Sequence, residues 1–192
     1  MPASRETEAV SQPMSQPMSQ PMSPAALDAL AARVNAVSRL TGSFTLRSGQ
    51  IASEYFDKYR FEAVPALLAD VAVALAPLVP PETDVLAGLE MGGIPIATAL
   101  SLHTGLPAAF VRKQAKTYGT ARLAEGADIT GRRVCVVEDV ITTGGSTREC
   151  IAALVRHGGK AVAAASIIDR SNGTADVGVP RVALVSLDVP SY

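Results

Sequence analysis

Two adjacent acids followed by hydroxyls and glycines pose the chemical question in this chain. The stretch VCVVEDVITTGGST runs from Val134 to Thr147. Val134–Val137 read as a buried strand, Glu138 and Asp139 stand at its end, and residues 142–147 wrap into a helix. In open parallel sheets, ligands bind beyond the carboxyl ends of the strands. Gly144 and Gly145 let the backbone turn its N–H groups inward. The N-terminus of the next helix adds roughly half a positive charge. Thr142, Thr143, Ser146 and Thr147 add hydroxyl donors at little steric cost. Together these make a phosphate cradle.

The acids complicate that reading. Two like unit charges about 4 Å apart cost on the order of 4 kcal/mol near a protein surface. Either a divalent cation intervenes, or the acids bind hydroxyls and leave the phosphate to the loop. A sugar phosphate offers both groups, and ribose 5-phosphate is the natural candidate. The stretch lacks the Lys of a Walker loop and the spaced glycines of a dinucleotide fingerprint. A plain strand-to-helix turn whose acids cap the helix is the structural alternative.

A second cluster lies upstream, in FVRKQAKTYGTARLAEGADITGRRV, where Arg112, Lys113 and Lys116 crowd three cations into five residues. Arg binds phosphate bidentately and Lys acts as a point charge. The cluster is either a solvated basic loop or a cover for a polyanionic leaving group.

Both clusters need a frame. SPAALDALAARVNAVSRL has a capping Ser23, Pro24 in the first turn, and Leu27, Leu30, Val34 and Val37 at helical spacing. GSFTLRSGQIASEYFD alternates around glycines and reads as a strand, a turn and a second strand. EAVPALLADVAVALAPLV is an apolar helix. Strands are then expected at Asp84–Glu90, PAAFVRK, RRVCVVED, AVAAASIIDRS and RVALVSLDV, with helices after the first and third. Apolar strands alternating with helices imply an α/β fold with a parallel sheet covered on both faces. The hairpin is an addition outside that sheet.

The chain has 192 residues, enough for one domain, with 48% hydrophobic and 18% charged residues. Its net charge of −1 gives no global attraction to nucleic acid or to an anionic membrane. Cys135 and Cys150 read as small core residues in a reducing compartment. The longest apolar stretch, Val64 to Val79, is broken by Asp70 and bounded by prolines, and is no membrane span. The N-terminus has no apolar signal core, so a cytoplasmic protein is expected. SQPM occurs three times between Ser11 and Met22, and residues 1–23 are expected to be a disordered tail before a single domain at 24–192. His103 and His157 carry no motif, and Glu90 receives no catalytic role.

Residues 134–147 resemble, position by position, the motif of type I phosphoribosyltransferases that binds 5-phosphoribosyl 1-diphosphate (PRPP). The resemblance implies that Glu138 and Asp139 bind the ribose hydroxyls. It implies that Val140, Ile141, Thr142, Thr143, Gly144, Gly145 and Ser146 belong to the PRPP site, with residues 142–147 around the 5-phosphate. FVRKQAK is similar to the catalytic loop of orotate phosphoribosyltransferases. That similarity puts Arg112, Lys113 and Lys116 on the diphosphate, with Lys116 as the main catalytic cation. Tyr118 stands where many members have His, and it can donate a hydrogen bond to diphosphate.

FTLRSGQIASEYFD is similar to the same family's N-terminal segment, with Arg47 in place of a PRPP-binding Lys, and Tyr55 and Phe56 at positions that approach the pyrimidine. Arg170 matches an Arg that binds the orotate carboxylate, and Thr142 a base-contacting Thr. GLEMGGIPIATALS resembles the loop that bends around the diphosphate, with Gly92 where many members carry Lys.

The resemblance covers about residues 25 to 190. It further implies a type I fold with an N-terminal helix and hairpin hood, and a loop around 114–128 that closes over the site. Mg2+ is expected on PRPP oxygens and water rather than on protein ligands, in a homodimer with shared sites. Two alternatives stay open: a type I enzyme for another base, and a PRPP-sensing regulator without catalysis.

Overall fold

The computed structural model describes residues 21–46, 48–112 and 123–186. Positions 1–20 of the expected tail lie outside them. So do Arg47, Lys113, Lys116 and Tyr118.

Helix α1 (Pro24–Ser38) begins where Ser23 Oγ accepts from Ala26 N at 3.3 Å. Strands β1 (Arg39–Thr45) and β2 (Ile51–Phe56) form a separate antiparallel hairpin. Helices α2 (Lys58–Glu62) and α3 (Pro65–Leu75) follow. Then come β3 (Val85–Leu89), α4 (Gly93–Thr104), β4 (Ala108–Val111), β5 (Ala124–Gly126) and β6 (Arg133–Ile141). The remaining elements are α5 (Gly145–Arg156), β7 (Lys160–Asp169) and β8 (Arg181–Ser186).

The six-stranded sheet has the order β5-β4-β3-β6-β7-β8, and β5 alone runs antiparallel to its neighbour. Both faces are covered, which explains the unbroken apolar runs in the strands. On one face Leu30, Val34, Val71, Leu75, Ile96 and Leu100 meet Leu86, Cys135 and Val137. On the other, Ile151 and Leu154 of α5 meet Val85, Val134 and Val136. Among the described residues no helix is long and apolar enough to cross a membrane.

The sheet order places the site. The chain leaves β3 through α4 to β4 on one side, and leaves β6 through α5 to β7 on the other. The pair β3–β6 is therefore the switch point, and a crevice opens beyond its carboxyl ends. Glycines permit close packing there. A Cβ on Gly88 would lie 2.5 Å from the Gly93 carbonyl oxygen, and one on Gly93 would run into the Val137 carbonyl.

Three features differ from the sequence expectation. Helix α2 falls between the hairpin stretch and the apolar helix, where the sequence shows no element. Its five residues are too few to reveal a 3.6-residue period, although Asp57 caps it by accepting from Tyr59 N at 3.2 Å. Strand β5 pairs with β4, and Leu123 is buried, so the loop expected over 114–128 is anchored from its later part onward. Strand β6 runs on to Ile141, because its pairing with β7 continues through Val140↔Ile168 and Ile141↔Asp169. Glu138 and Asp139 are thus strand residues, and successive strand side chains point to opposite faces.

Gly93→Ala is expected to cost about 1–3 kcal/mol by overpacking against β6. Thermal unfolding checks this: a fall in Tm of several degrees is expected, and an unchanged Tm would show that the α4–β6 approach tolerates a methyl group.

Candidate functional site

The crevice is a cleft of about 680 Å³. Residues just beyond β3 line it (Glu90, Met91, Gly92), as do Glu138 of β6, Ser146 and Glu149 of α5, Lys58 of α2, and Arg112 at the end of β4. The strand ends meet here because Glu90 N donates to Val111 O at 2.8 Å and Arg170 N donates to Ile141 O at 2.8 Å.

The loop after β6 keeps its donors open. Gly144, at φ 77, caps α5 with its backbone alone, and no side chain caps that helix. This excludes the plain alternative in which the acids cap it. Among the described residues only Thr143 Oγ1 approaches, 3.5 Å from Gly145 N. The first-turn N–H groups of α5 are therefore open to an anion. Position 144 needs glycine, both for its φ and because a Cβ would lie 2.8 Å from Val177 Cγ1.

The two acids diverge. Glu138 lines the cleft, whereas Asp139 is 1% exposed on the opposite face. Asp139 Oδ1 accepts from Val140 N at 2.6 Å. Its Oδ2 lies 2.5 Å from Lys58 Nζ, a close ion contact without a well-directed hydrogen bond. Burial lowers the Lys58 pKa, but the Asp139 carboxylate outweighs burial and holds the ammonium above its ordinary value.

Beside this pair lies Glu62, one helical turn beyond Lys58 and 8% exposed, with Oε1 lacking a hydrogen-bond partner. Burial, then the charges of Asp139, Asp57 and Glu138, pushes its carboxyl up to about 8, while Lys58 acts the other way.

Tyr55 and Phe56, expected near the pyrimidine, lie on the hairpin strand β2. Neither Tyr55 nor Phe56 lines the cleft. Tyr55 is 47% exposed and stacks on Phe44 with centroids 5.5 Å apart. Phe56 instead lines a separate apolar cavity of about 270 Å³ with Leu30, Val34, Ile168 and Leu184. The hairpin's alternation turns Phe56 toward the α1 side of the sheet and leaves Tyr55 outside.

Arg170 is half-buried at the end of β7, next to the 142–147 loop. Asp169 fixes the turn that follows it. Asp169 Oδ1 accepts from Ser171 N at 2.8 Å and Ser171 Oγ at 2.6 Å, and Oδ2 accepts from Gly173 N at 3.3 Å and from Arg181 Nη1. Burial pushes Asp169 up, but these bonds outweigh it and hold the carboxyl below its usual range. Cys135 and Cys150 are buried free thiols, each pushed up by burial to about 12, and so are inert at neutral pH.

Sequence reading missed Lys58, Glu62, Asp169 and Arg181 as site residues. The i, i+4 spacing of Lys58 and Glu62 behind a capping Asp57 was the available signal, but it marks a helix face and not a cleft. Among the described residues, no group of three or more His, Cys, Asp or Glu gathers as a metal cage.

Two outcomes follow from these networks. Glu62 ionises near 4.5 when unfolded and near 8 when folded. Between those values the folded chain holds a proton that the unfolded chain has lost, so stability falls as pH rises. Glu62→Gln removes this loss. The variant is expected to gain several degrees in Tm over wild type at about pH 9 and little at about pH 5. Equal shifts at both values would show that Glu62 is ionised throughout. Asp169→Asn is expected to lower Tm and to loosen the turn at 171–173, read as faster amide exchange at Ser171 and Gly173. Unchanged exchange there would remove Asp169 from the role of anchor.

Residues 60–186 match the family of the phosphoribosyl transferase domain. The chain is 57% identical over 158 residues to an orotate phosphoribosyltransferase of a Nocardioides species, covering 80% of this chain and 88% of that one. It resembles the crystal structure of Mycobacterium tuberculosis H37Rv orotate phosphoribosyltransferase in complex with Fe(III) dicitrate, with TM-score 0.73 and 32% identity, over 84% of this chain and 97% of that one. It also resembles the same enzyme in complex with PRPP, with TM-score 0.68 and 28% identity, over 86% and 92% of the two chains. The α/β sheet, its switch-point cleft and these likenesses agree: the chain belongs to the phosphoribosyltransferase family, among the orotate phosphoribosyltransferases.

Proposed function

We propose that the chain transfers the 5-phosphoribosyl group of PRPP to orotate, giving orotidine 5′-monophosphate and diphosphate, a step of de novo UMP synthesis. The observation that carries this reading is the uncapped N-terminus of α5 beside Glu138, at the carboxyl end of β6. Ser146 of that first turn lines one cleft with Glu138, which suits an amide donor to a 5-phosphate and a carboxylate to sugar hydroxyls.

Residues 142–147 hold the 5-phosphate, continuing the Val140–Ile141 backbone. Glu138 and Asp139 are assigned to the ribose hydroxyls. Glu138 already lines the cleft, whereas Asp139 exchanges the Lys58 ammonium for a hydroxyl when the sugar arrives. Arg47, Arg112, Lys113, Lys116 and Tyr118 are assigned to PRPP, the last four to its diphosphate. Thr142 and Arg170 hold orotate, with the Arg170 guanidinium on its carboxylate. The turn fixed by Asp169 supports that placement.

As the bond from C1 of the ribose to the diphosphate weakens, positive charge grows on the ring and negative charge on the leaving group. Catalysis rests on stabilising both. The orotate ring nitrogen attacks as an anion and needs no strong base. Phosphoribosyltransferases use a metal ion in binding PRPP. The described residues offer carboxylates on the cleft wall but no closed cage, which fits a hard cation held by PRPP oxygens and water. We assign Mg2+ to that position, where it would supply positive charge to offset that of the diphosphate.

Residues 24–192 make up the catalytic domain in this reading. The hairpin residues Ile51, 75% exposed, and Tyr55 offer apolar surface for a second copy of the chain, in support of a homodimer. Two buried free thiols suit a reducing cytoplasm.

Ultraviolet absorbance of orotate, with PRPP and Mg2+ present, tests the function. Wild type is expected to deplete orotate and to leave uracil and adenine unchanged. Lys116→Ala is expected to lose at least about 10²-fold in kcat. PRPP binding without orotate depletion would overturn the base assignment.

A further inference from the structure

Lys58 is a cation of the cleft that the sequence motifs leave unexplained. It comes from α2, an element that no motif marks, and its side chain is 34% exposed while its partner Asp139 is 1% exposed. The contact is built on three elements. Asp139 comes from β6, Lys58 from α2, and Gly92 from the turn before α4. A Cβ at position 92 would fall on the Asp139 carboxylate, so glycine is what makes room for it. Val140 N holds Oδ1, which leaves Oδ2 to Lys58. An ammonium has three donors, and one partner leaves the others for the cleft.

Charge balance gives this cation a use. Lys58, Arg112 and Arg156 line the same cleft as Glu90, Glu138 and Glu149. A polyanion entering such a mixed wall needs every cation it can reach, because the acids oppose it. Lys58 shares the wall with the Glu90–Gly92 turn, at the end of β3, across the switch point from the 142–147 loop. A ligand with one phosphate in that loop and a hydroxyl-bearing ring at Glu138 has its second anionic group directed toward the β3 side.

We propose that Lys58 is a diphosphate-binding residue, stored on Asp139 in the empty cleft and released to the ligand when a ribose hydroxyl takes its place on that carboxylate. This rests on the PRPP reading of the cleft. The exchange balances: Asp139 gives up one donor and gains another, and the ammonium leaves one anion for a second. The ribose ring and the diphosphate are thereby coupled, since occupying the first site frees the cation for the second. A ligand lacking the diphosphate has nothing to take up the released ammonium.

Calorimetric titration of wild type, Lys58→Gln and Lys58→Arg with PRPP, inorganic diphosphate and ribose 5-phosphate, each with Mg2+, tests this. Gln can still hydrogen-bond Asp139, which protects the fold, and Tm is measured alongside. For Lys58→Gln, the Kd of PRPP is expected to rise about ten-fold or more, and that of inorganic diphosphate, which brings no ribose hydroxyl to release the ammonium, to rise less. The Kd of ribose 5-phosphate is expected to stay within about three-fold of wild type, because that ligand offers the ammonium no diphosphate to bind. Lys58→Arg is expected to recover most of the PRPP affinity.

Equal weakening of all three ligands, or unchanged PRPP and diphosphate affinity with a lower Tm, would make Lys58 a structural partner of Asp139 and overturn the proposal. Wild type that binds PRPP without consuming orotate would sink the base assignment and leave this comparison decisive for Lys58. Wild type that binds neither PRPP nor diphosphate would overturn both readings.

Discussion

The Asp139 carboxylate sits 1% exposed, in the space that any side chain at position 92 would occupy, with Lys58 Nζ 2.5 Å away. A buried charge of this kind is tolerated only with a partner. Its position therefore constrains three separate elements. The turn before α4 must carry glycine at 92, α2 must end the hairpin and project Lys58 inward, and β6 must run past Glu138 to place the acid on that face. Glu62 also responds: burial, with the same charge added, drives its carboxyl up to about 8. The β3–β6 switch point is the one place in the sheet where these elements converge.

That arrangement reconciles two demands that conflict in a phosphate site. The 142–147 loop attracts anions through open amides, while carboxylates close by repel them. Placing the two acids on opposite faces of β6 separates their tasks. Glu138 lines the cleft wall, and Asp139 is paired with the Lys58 ammonium. On the β7 side, Asp169 ties down the turn after Arg170 with several directed bonds.

Much of this was legible in the sequence. Unbroken apolar runs such as Val134–Val137 require burial on both faces, and they lie in the middle of a parallel sheet. The Thr/Gly loop read as an anion cradle, and α5 begins there without a side-chain cap. What stayed hidden has physical reasons. Helix α2 is a single turn, β5 has three residues, and neither is long enough to show a period. The end of β6 was set by pairing with β7, which no local pattern in VCVVED reveals. Lys58 and Glu62 acquire their meaning only from Asp139, 77 or more positions along the chain in sequence but adjacent in space.

The central claim is that one cleft at the β3–β6 switch point takes the whole of PRPP in a fixed direction. A crystal structure with PRPP and Mg2+ bound tests it most directly. The 5-phosphate is expected on the amides of residues 142–147, the ribose hydroxyls against Glu138, and the diphosphate toward the Glu90–Gly92 turn. A PRPP molecule lying with its diphosphate in the 142–147 loop, or seated outside this cleft, would contradict it.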